Sequence, residues 1–261
     1  MPEPDYTLLD RPDIVEAMFY PRKASRPLPL GASEHLVPVN DWVAVGCRFY
    51  PHRREVPTIL YFHGNGEVAS DYDEMASMYN AFDINLFVAG YRGYGASTGS
   101  PNFSTMIADA HAIFLFFREW LPKLGFARRF FVMGRSMGAT SALELAARYP
   151  EHLKGLILES GAGGTGGWYR WMRPDDDSAP WDELQQRHRQ KVASITMPLL
   201  TIHGELDALI PVERALELQA AVSSQRKELV VIPQAGHNDL FFRGLQQYMG
   251  AVMAFVTAPS P

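Results

Sequence analysis

Short apolar segments alternate with longer amphipathic ones along most of the chain. Residues 84–89 form an almost continuous apolar run, which is typical of a parallel strand covered on both faces. Residues 68–82 place apolar side chains at helical spacing instead, which predicts an amphipathic helix. The same reasoning predicts further strands at residues 42–50, 58–62, 129–133, 155–158, 198–202 and 229–232. It predicts further helices at residues 104–121, capped by Ser104, and at residues 137–149, 212–222 and 240–256.

This alternation favours an α/β fold. Strands separated by helices of this length are joined by right-handed crossovers, which produce a mostly parallel sheet. Residues 161–194 interrupt the pattern, since they are rich in glycine and contain Trp168, Trp171 and Trp181. Long structureless loops are uncommon in compact domains, so we expect a small lid or cap here; a surface excursion without a role is the alternative. The expected domain organisation is an N-terminal segment, a core in two parts and a lid: residues 1–40, 41–160 with 195–261, and 161–194.

The composition narrows the class of protein. The chain has 261 residues, 47% hydrophobic and 20% charged, which suits one large globular domain rather than a disordered protein. A formal net charge of −5 gives no electrostatic basis for binding nucleic acid or an anionic membrane surface. The single cysteine, Cys47, excludes an internal disulfide framework. Without a visible secretory signal or a bilayer-spanning apolar stretch, we expect a cytoplasmic protein with no integral membrane segment.

Residues 134–138, Gly-Arg-Ser-Met-Gly, form a G-x-S-x-G motif between a predicted strand and a predicted helix. A serine on such a tight turn adopts strained dihedral angles, and the flanking glycines relieve crowding. The turn exposes the hydroxyl group at the carboxyl edge of the sheet, beside the free N–H groups of the helix N-terminus. The motif alone often occurs by accident, but in this position it indicates that Ser136 is a nucleophile.

A serine nucleophile needs a base, and the base needs an acid that orients it. Asp207 and His237 each follow a predicted strand, and the chain order Ser, Asp, His is the one that this type of turn requires. Alone, Asp207 could cap a helix and His237 could be a satisfied turn residue. Together with Ser136 they indicate a catalytic triad at one sheet edge. Glu205 is the alternative acid, although it lies closer to its strand.

The reaction also needs two donors for the developing oxyanion. The backbone N–H of Met137, directly after the nucleophile, is one by position. The loop after residues 58–62 has the sequence His-Gly-Asn-Gly, whose glycines permit close backbone approach, so the N–H of Asn65 is the expected second donor. His63 is expected to have a structural role.

Other candidate sites are weaker. The glycine-rich residues 90–101 lack the features of phosphate-binding and dinucleotide-binding loops, and are expected to shape the floor of the pocket. His203, Glu205 and Asp207 lack the helical histidine pair that would complete a zinc site. Cys47 is expected to be a packed small hydrophobe. We therefore expect neither a metal nor a cofactor.

These motifs resemble the α/β-hydrolase superfamily, specifically its small-lid serine hydrolases, which include esterase-like proteins and some protein depalmitoylases. The matching segments are residues 61–66, 90–101, 134–138, 203–207 and 236–237, within a resemblance that covers about residues 40–256. It implies the α/β-hydrolase fold, with about eight strands, flanking helices and a small lid. It also implies nucleophile Ser136, base His237, acid Asp207 and no cofactor.

The resemblance leaves the substrate open. Family members often continue Glu-Ser-Pro-Phe after the sixth strand, whereas here Glu159-Ser160 is followed by Gly-Ala-Gly-Gly. We expect a serine hydrolase that cleaves a small-molecule ester or thioester through an acyl-enzyme. Trp168, Trp171 and Trp181 either line an apolar acyl pocket or attach the lid to the core. The alternatives are an amidase or peptidase with the same triad, and a binding protein that keeps the fold without the chemistry.

Overall fold

The computed structural model describes residues 4–24, 26–161 and 179–258. This part of the chain contains eight β-strands and seven α-helices. The strands are β1 Ser33–Pro38, β2 Ala44–Tyr50, β3 Thr58–Phe62, β4 Asn85–Ala89, β5 Phe130–Arg135, β6 Leu156–Glu159, β7 Leu199–Gly204 and β8 Lys227–Ile232. The helices are α1 Pro12–Met18, α2 Asp73–Ala81, α3 Phe103–Lys123, α4 Gly138–Arg148, α5 Ala179–Ala193, α6 Val212–Ala221 and α7 Leu240–Thr257. Short 3-10 helices, Tyr6–Leu9 and Ala69–Tyr72, precede α1 and α2.

The strands form one sheet in the order β1-β2-β4-β3-β5-β6-β7-β8. β2 is antiparallel to β1 and β4, and every other neighbouring pair is parallel, which confirms the expected mostly parallel sheet. Phe62 lies opposite Gly134, and Arg135 lies opposite Glu159. β3, β5 and β6 therefore end at the same edge, and the loops that follow them are neighbours.

Both faces of the sheet are covered. Leu60 and Val132 face a layer that includes Phe117 of α3, whereas Tyr61 and Met133 lie in the layer on the opposite face. All of these side chains are buried, because successive residues of a strand point to opposite faces and each face carries helices. The continuous apolar runs in the sequence arise from this double coverage.

The N-terminal segment contributes to the sheet. β1 pairs with β2 as an edge strand, so the sheet begins before residue 41, where the sequence places the start of the core. Only Val37 of this strand is buried. α1 has seven residues with Pro12 in its first turn, which is too short for helical periodicity to be visible.

The start of α3 differs from the expectation that Ser104 caps it. The cap is Asn102, whose side-chain oxygen accepts a hydrogen bond from the N–H of Thr105 at 2.8 Å. The Thr105 hydroxyl accepts in turn from the N–H of Asn102 at 3.1 Å, which completes a capping box. Ser104 lies inside the helix, and its N–H donates to the side chain of Asp10 at 3.0 Å.

Half of the expected lid, residues 162–178 with Trp168 and Trp171, lies outside the described residues. The remainder of the segment forms α5. Trp181, Leu184 and Val192 of this helix are buried in the same layer as α3 and α4. Within the described ranges, no helix is long and apolar enough to cross a membrane.

Candidate active site

Ser136 lies on the turn between β5 and α4 with a φ of +50°, a left-handed conformation that non-glycine residues rarely adopt. Its N–H donates to the carbonyl oxygen of Glu159 at 2.9 Å, which attaches the turn to the end of β6. A Cβ at Gly134 would lie 2.3 Å from the carbonyl oxygen of Gly138. A Cβ at Gly138 would lie 2.1 Å from the carbonyl oxygen of Phe62. Both glycines of the motif are therefore required by close backbone contacts.

His237, on the loop after β8, lies between the serine and the acid. Its Nε2 is 2.9 Å from Oγ of Ser136, and its Nδ1 is 2.8 Å from Oδ2 of Asp207. Because an ionised carboxylate can only accept, Nδ1 carries the ring proton and Nε2 presents its lone pair to the serine hydroxyl. A histidine in this orientation can accept the serine proton.

Asp207 follows β7, and its side chain is fully buried. Its Oδ1 accepts hydrogen bonds from the N–H groups of Leu209 at 3.0 Å and Ile210 at 2.8 Å. Burial raises the pKa of Asp207, but the hydrogen bonds from His237 and from the Ile210 N–H outweigh burial and leave the pKa below its usual value. The carboxyl group is thus ionised at neutral pH.

Glu205, the alternative acid, has a different partner. Its carboxylate accepts a hydrogen bond from the backbone N–H of Gln234 at 2.8 Å. The structure thus brings Asp207 to His237, and it places Glu205 on the preceding part of the same loop.

A second histidine supports the turn that carries Asp207. His203 is buried, with Nε2 2.7 Å from the carbonyl oxygen of Ile210 and 3.4 Å from Oδ2 of Asp207. A carbonyl oxygen only accepts, so Nε2 carries the ring proton. Ile210 is held from both sides, because its N–H donates to Asp207 and its carbonyl accepts from His203. The sequence motif includes His203 without indicating this function.

The expected oxyanion donors lie on two loops that touch. Gly138 lies against Phe62, so the start of α4 is in contact with the end of β3. Met137 directly precedes α4, and Asn65 lies on the loop that follows β3. In the part of the chain that the structure describes, neither the N–H of Asn65 nor that of Met137 donates a hydrogen bond. Two unused donors on adjoining loops are suited to an oxyanion.

The side chain of Asn65 is held by the N-terminal segment. Its Oδ1 accepts hydrogen bonds from the N–H of Tyr20 at 3.0 Å and from the hydroxyl of Tyr94 at 2.7 Å. Its amide group donates to the carbonyl oxygen of Met18. These contacts fix the residue that carries the expected oxyanion N–H. No pattern in residues 1–40 predicts them.

His63 is a buried residue that supports the loop carrying Asn65. Its ring is fully buried, and its Nδ1 lies 2.8 Å from the carbonyl oxygen of Gly64. Its own carbonyl oxygen accepts a hydrogen bond from the Tyr91 hydroxyl at 2.8 Å. Burial lowers the pKa of His63, which keeps the ring neutral. These contacts agree with the expected structural role.

The other candidates from the sequence, Cys47 and the glycine-rich loop, have surroundings that indicate a structural role. Cys47 is buried in β2, and burial raises the pKa of its thiol to about 12, so it is not a thiolate at neutral pH. Arg92 of the glycine-rich loop binds both carboxylate oxygens of Asp109 at 2.7 and 2.8 Å, which attaches this loop to α3. Within residues 4–24, 26–161 and 179–258, no group of three His, Cys, Asp or Glu residues could hold a metal ion.

The chain is similar to known proteins in sequence. Residues 54–173 match the family model described as serine aminopeptidase, S33. The chain is 29% identical over 245 residues to an uncharacterized protein of Mycobacterium tuberculosis, an alignment that covers 90% of this chain and 82% of that protein. It is 32% identical over 205 residues to the human alpha/beta hydrolase domain-containing protein 17B, with 77% of this chain and 66% of that protein covered.

The fold also matches solved structures. The structure of the Pyrococcus furiosus esterase Pf2001 matches with a TM-score of 0.71, covering 92% of this chain and 96% of that one. The sequences are 20% identical, so this similarity shows a common fold. In the present chain, the candidate nucleophile, base, acid and oxyanion loop all follow strands of the parallel part of that fold.

Proposed function

Because this chain belongs to the α/β-hydrolase superfamily, we propose that it is a cofactor-independent serine hydrolase that cleaves carboxylic esters or thioesters. The observation that carries the proposal is the hydrogen-bonded line from Ser136 Oγ through His237 to Asp207. A serine, a correctly oriented histidine and a buried ionised carboxylate are the groups that acyl transfer to serine requires.

In the first half of the reaction, Nε2 of His237 removes the proton of Ser136 as Oγ bonds to the acyl carbon. The carbonyl electron pair moves to the substrate oxygen, and the N–H groups of Asn65 and Met137 bind the resulting oxyanion. Asp207 stays ionised and stabilises the imidazolium. The intermediate then collapses, the bond to the alcohol or thiol breaks, and His237 returns the proton to the leaving group.

In the second half, water takes the place of the alcohol or thiol. His237 removes a proton from this water as its oxygen attacks the acyl-enzyme, and the same two N–H groups bind the second oxyanion. Collapse breaks the bond to Ser136 Oγ, which recovers its proton from His237. This half releases a carboxylic acid and the free enzyme, so the whole reaction consumes one water and needs no oxidant.

Similarity to a solved esterase favours esters as the substrate class. In this proposal Trp168 and Trp171, on the lid segment, contact the acyl part of the substrate. In the sequence, residues 161–194 lie between β6 and β7, and the loop after β7 carries Asp207. Replacing either tryptophan with alanine should raise KM for octanoyl esters more than for acetyl esters. Equal changes for both esters would assign these residues to lid attachment.

A peptidase is the second candidate. It is favoured by the match of residues 54–173 to the family model described as serine aminopeptidase, S33. The same triad can cleave an amide if His237 protonates the leaving amine. Ester and amide cleavage differ in the leaving group, so matched substrates distinguish them.

The test is a panel of substrates that share one acyl group: a butyryl p-nitrophenyl ester, a butyryl thioester and a butyryl p-nitroanilide, together with an amino-acid p-nitroanilide. We expect kcat/KM for the ester or thioester to exceed that for either anilide by about a hundredfold or more. The Ser136→Ala variant should turn over none of them. Faster cleavage of an anilide would favour the peptidase, and no turnover of any substrate would favour the binding protein.

A further inference from the structure

Arg135 connects two loops of the candidate site and the end of a neighbouring strand. It precedes Ser136 at the end of β5, and its side chain is almost entirely buried. Its Nε donates to Glu159 Oε1 at 3.1 Å, and its Nη1 donates to Glu67. Its Nη2 donates to the carbonyl oxygen of His237 at 3.2 Å and to Oδ1 of Asn238 at 2.8 Å. One guanidinium group therefore contacts the end of β6, the loop after β3 and the loop after β8.

The contacts with His237 and Asn238 hold the base loop. A hydrogen bond to the backbone of His237 limits how far its Cα can move from the serine turn, because Arg135 adjoins Ser136 in the chain. The bond to Asn238 adds a second point of attachment on the next residue. Two attachment points restrain both the position and the rotation of the segment from which the imidazole projects.

The contact with Glu67 holds the oxyanion loop. Glu67 Oε2 accepts hydrogen bonds from the N–H of Gly64 at 2.6 Å and from the hydroxyl of Tyr72 at 2.7 Å. Gly64 adjoins Asn65, so an ion pair between Glu67 and Arg135 restrains the peptide that presents the expected oxyanion donor. A Cβ at Gly64 would lie 2.4 Å from Nη1 of Arg135, so a side chain at this position would displace the guanidinium group.

The second carboxylate fixes the guanidinium itself. Glu159 is buried, and its Oε2 accepts hydrogen bonds from the hydroxyls of Tyr61 at 3.0 Å and Tyr248 at 2.7 Å. Burial lowers the pKa of Arg135, but the charges of Glu159 and Glu67 outweigh this and raise the pKa above its usual value. The guanidinium group therefore stays charged at any pH at which the enzyme would be assayed. Its planar set of N–H donors contacts several groups at once, which the single ammonium group of a lysine could not do.

We propose that Arg135 is a positioning residue that sets the geometry between Ser136, His237 and the N–H of Asn65. It does not touch the substrate in this proposal, and it acts through the base loop and the oxyanion loop. The inference rests on the proposed function, since it assigns Arg135 to the same acyl transfer. Its loss should lower kcat with little change in KM, because substrate contacts remain.

The decisive variants are at Asn238, which is exposed and can be replaced without opening the core. Asn238→Ala removes one acceptor of Arg135, whereas Asn238→Asp keeps an oxygen in its place and is the matched control. We expect kcat to fall about three- to tenfold in Asn238→Ala and to stay within about twofold of wild type in Asn238→Asp. Arg135→Lys should lower kcat about ten- to a hundredfold. Rates are measured on the alkaline plateau with a p-nitrophenyl ester.

The rate must be expressed per active site, which the burst of p-nitrophenol from the first turnover counts. A purely structural role would reduce the number of titrated sites and leave kcat per site at the wild-type value; that result would overturn the inference. Equal losses in Asn238→Ala and Asn238→Asp would overturn it too. A wild-type protein with neither a burst nor turnover would instead contradict the proposed function, and the inference with it.

Discussion

Gly138 packs directly on Phe62: a Cβ at position 138 would lie 2.1 Å from the carbonyl oxygen of Phe62. This contact joins the first turn of α4 to the end of β3, although more than 70 residues separate them in the chain. It brings Met137 to the loop that carries Asn65, and the candidate oxyanion hole depends on this closeness. The glycine that ends the G-x-S-x-G motif therefore serves the site through its missing side chain.

The first prediction is that Gly138→Ala destabilises the fold. The oxygen of Phe62 belongs to a central strand paired on both sides, so it cannot move away from an added methyl group. We expect the free energy of unfolding to fall by about 2 to 4 kcal/mol in urea denaturation. The control is Gly250→Ala, because nothing lies within 4 Å of a Cβ there. This helical position should gain up to about 1 kcal/mol, and equal effects of the two changes would contradict the prediction.

The second prediction separates the two candidate acids. Asp207→Asn keeps an oxygen for the N–H groups of Leu209 and Ile210 but places an amide group against Nδ1 of His237. The imidazole then loses its orienting acceptor, and we expect kcat to fall by up to about ten-thousand-fold. Glu205→Gln should stay within about threefold of wild type, because its partner is the N–H of Gln234. A larger loss in Glu205→Gln would identify Glu205 as the acid.

The third prediction concerns the pH dependence of ester hydrolysis. The pKa of Asp207 lies below its usual value, so this group stays ionised in mildly acidic solution. The base must be neutral to accept the serine proton, so kcat/KM should fall on one acidic limb while Asp207 is still ionised. A profile of kcat/KM with no acidic limb would show that histidine is not the base.

A buried polar cluster lies away from the candidate site, between α3, α4 and α5. Glu144 of α4 is buried and forms an ion pair with Lys191, and its Oε1 lies 3.0 Å from Nε2 of His111. Lys191 also donates to the hydroxyl of Tyr6 at 2.9 Å. Burial raises the pKa of Glu144, but the hydrogen bond with His111 and the charge of Lys191 outweigh it and lower the pKa to about 2. The cluster thus attaches α5, which follows the undescribed residues 162–178, to α3 and α4 of the core.

The fourth prediction follows from this pKa. Because the pKa of Glu144 is lower in the folded state, its stabilising effect is present above the unfolded value of about 4.3 and is lost as the pH falls toward about 2. From pH 5 to 3, wild type should lose about 1 to 2 kcal/mol more unfolding free energy than Glu144→Gln, as measured by urea denaturation at each pH. Equal losses in both proteins would show that Glu144 does not titrate in this way.

Much of the fold could be predicted from the sequence in those segments where apolar residues form a strong pattern. The runs at residues 58–62 and 84–89 are apolar because helices cover both faces, and they correspond closely to β3 and β4. β1 carries no such signal, since it is an edge strand whose side chains are mostly exposed. The polar helix α5 has only a narrow buried stripe that includes Trp181, Leu184 and Val192, which is too sparse to predict a helix after a glycine-rich segment.

Part of the candidate site could also be predicted from the sequence, and part of it could not. Ser136, Asp207 and His237 could be predicted because each follows a strand, and the parallel topology brings strand ends to one edge. The contacts that hold these residues in place could not be predicted from the sequence, because their partners are distant in the chain. Arg135 meets Glu67 and Asn238 only through the sheet order. The contacts of the N-terminal segment with the side chain of Asn65 likewise exist only in three dimensions.

The fifth prediction concerns the nucleophile itself, and it is tested by incubating the purified protein with a fluorophosphonate probe and mapping the adduct by mass spectrometry. Such a probe reacts with a serine whose hydroxyl is activated by a neighbouring base. We expect one adduct per chain, on Ser136, with no labelling of Ser136→Ala and strongly slowed labelling of His237→Ala. Ser136→Ala should unfold at nearly the wild-type temperature, because it removes only a hydroxyl group that is hydrogen-bonded to His237. An unlabelled wild-type protein, or an adduct on another residue, would contradict the assignment of Ser136 as the nucleophile.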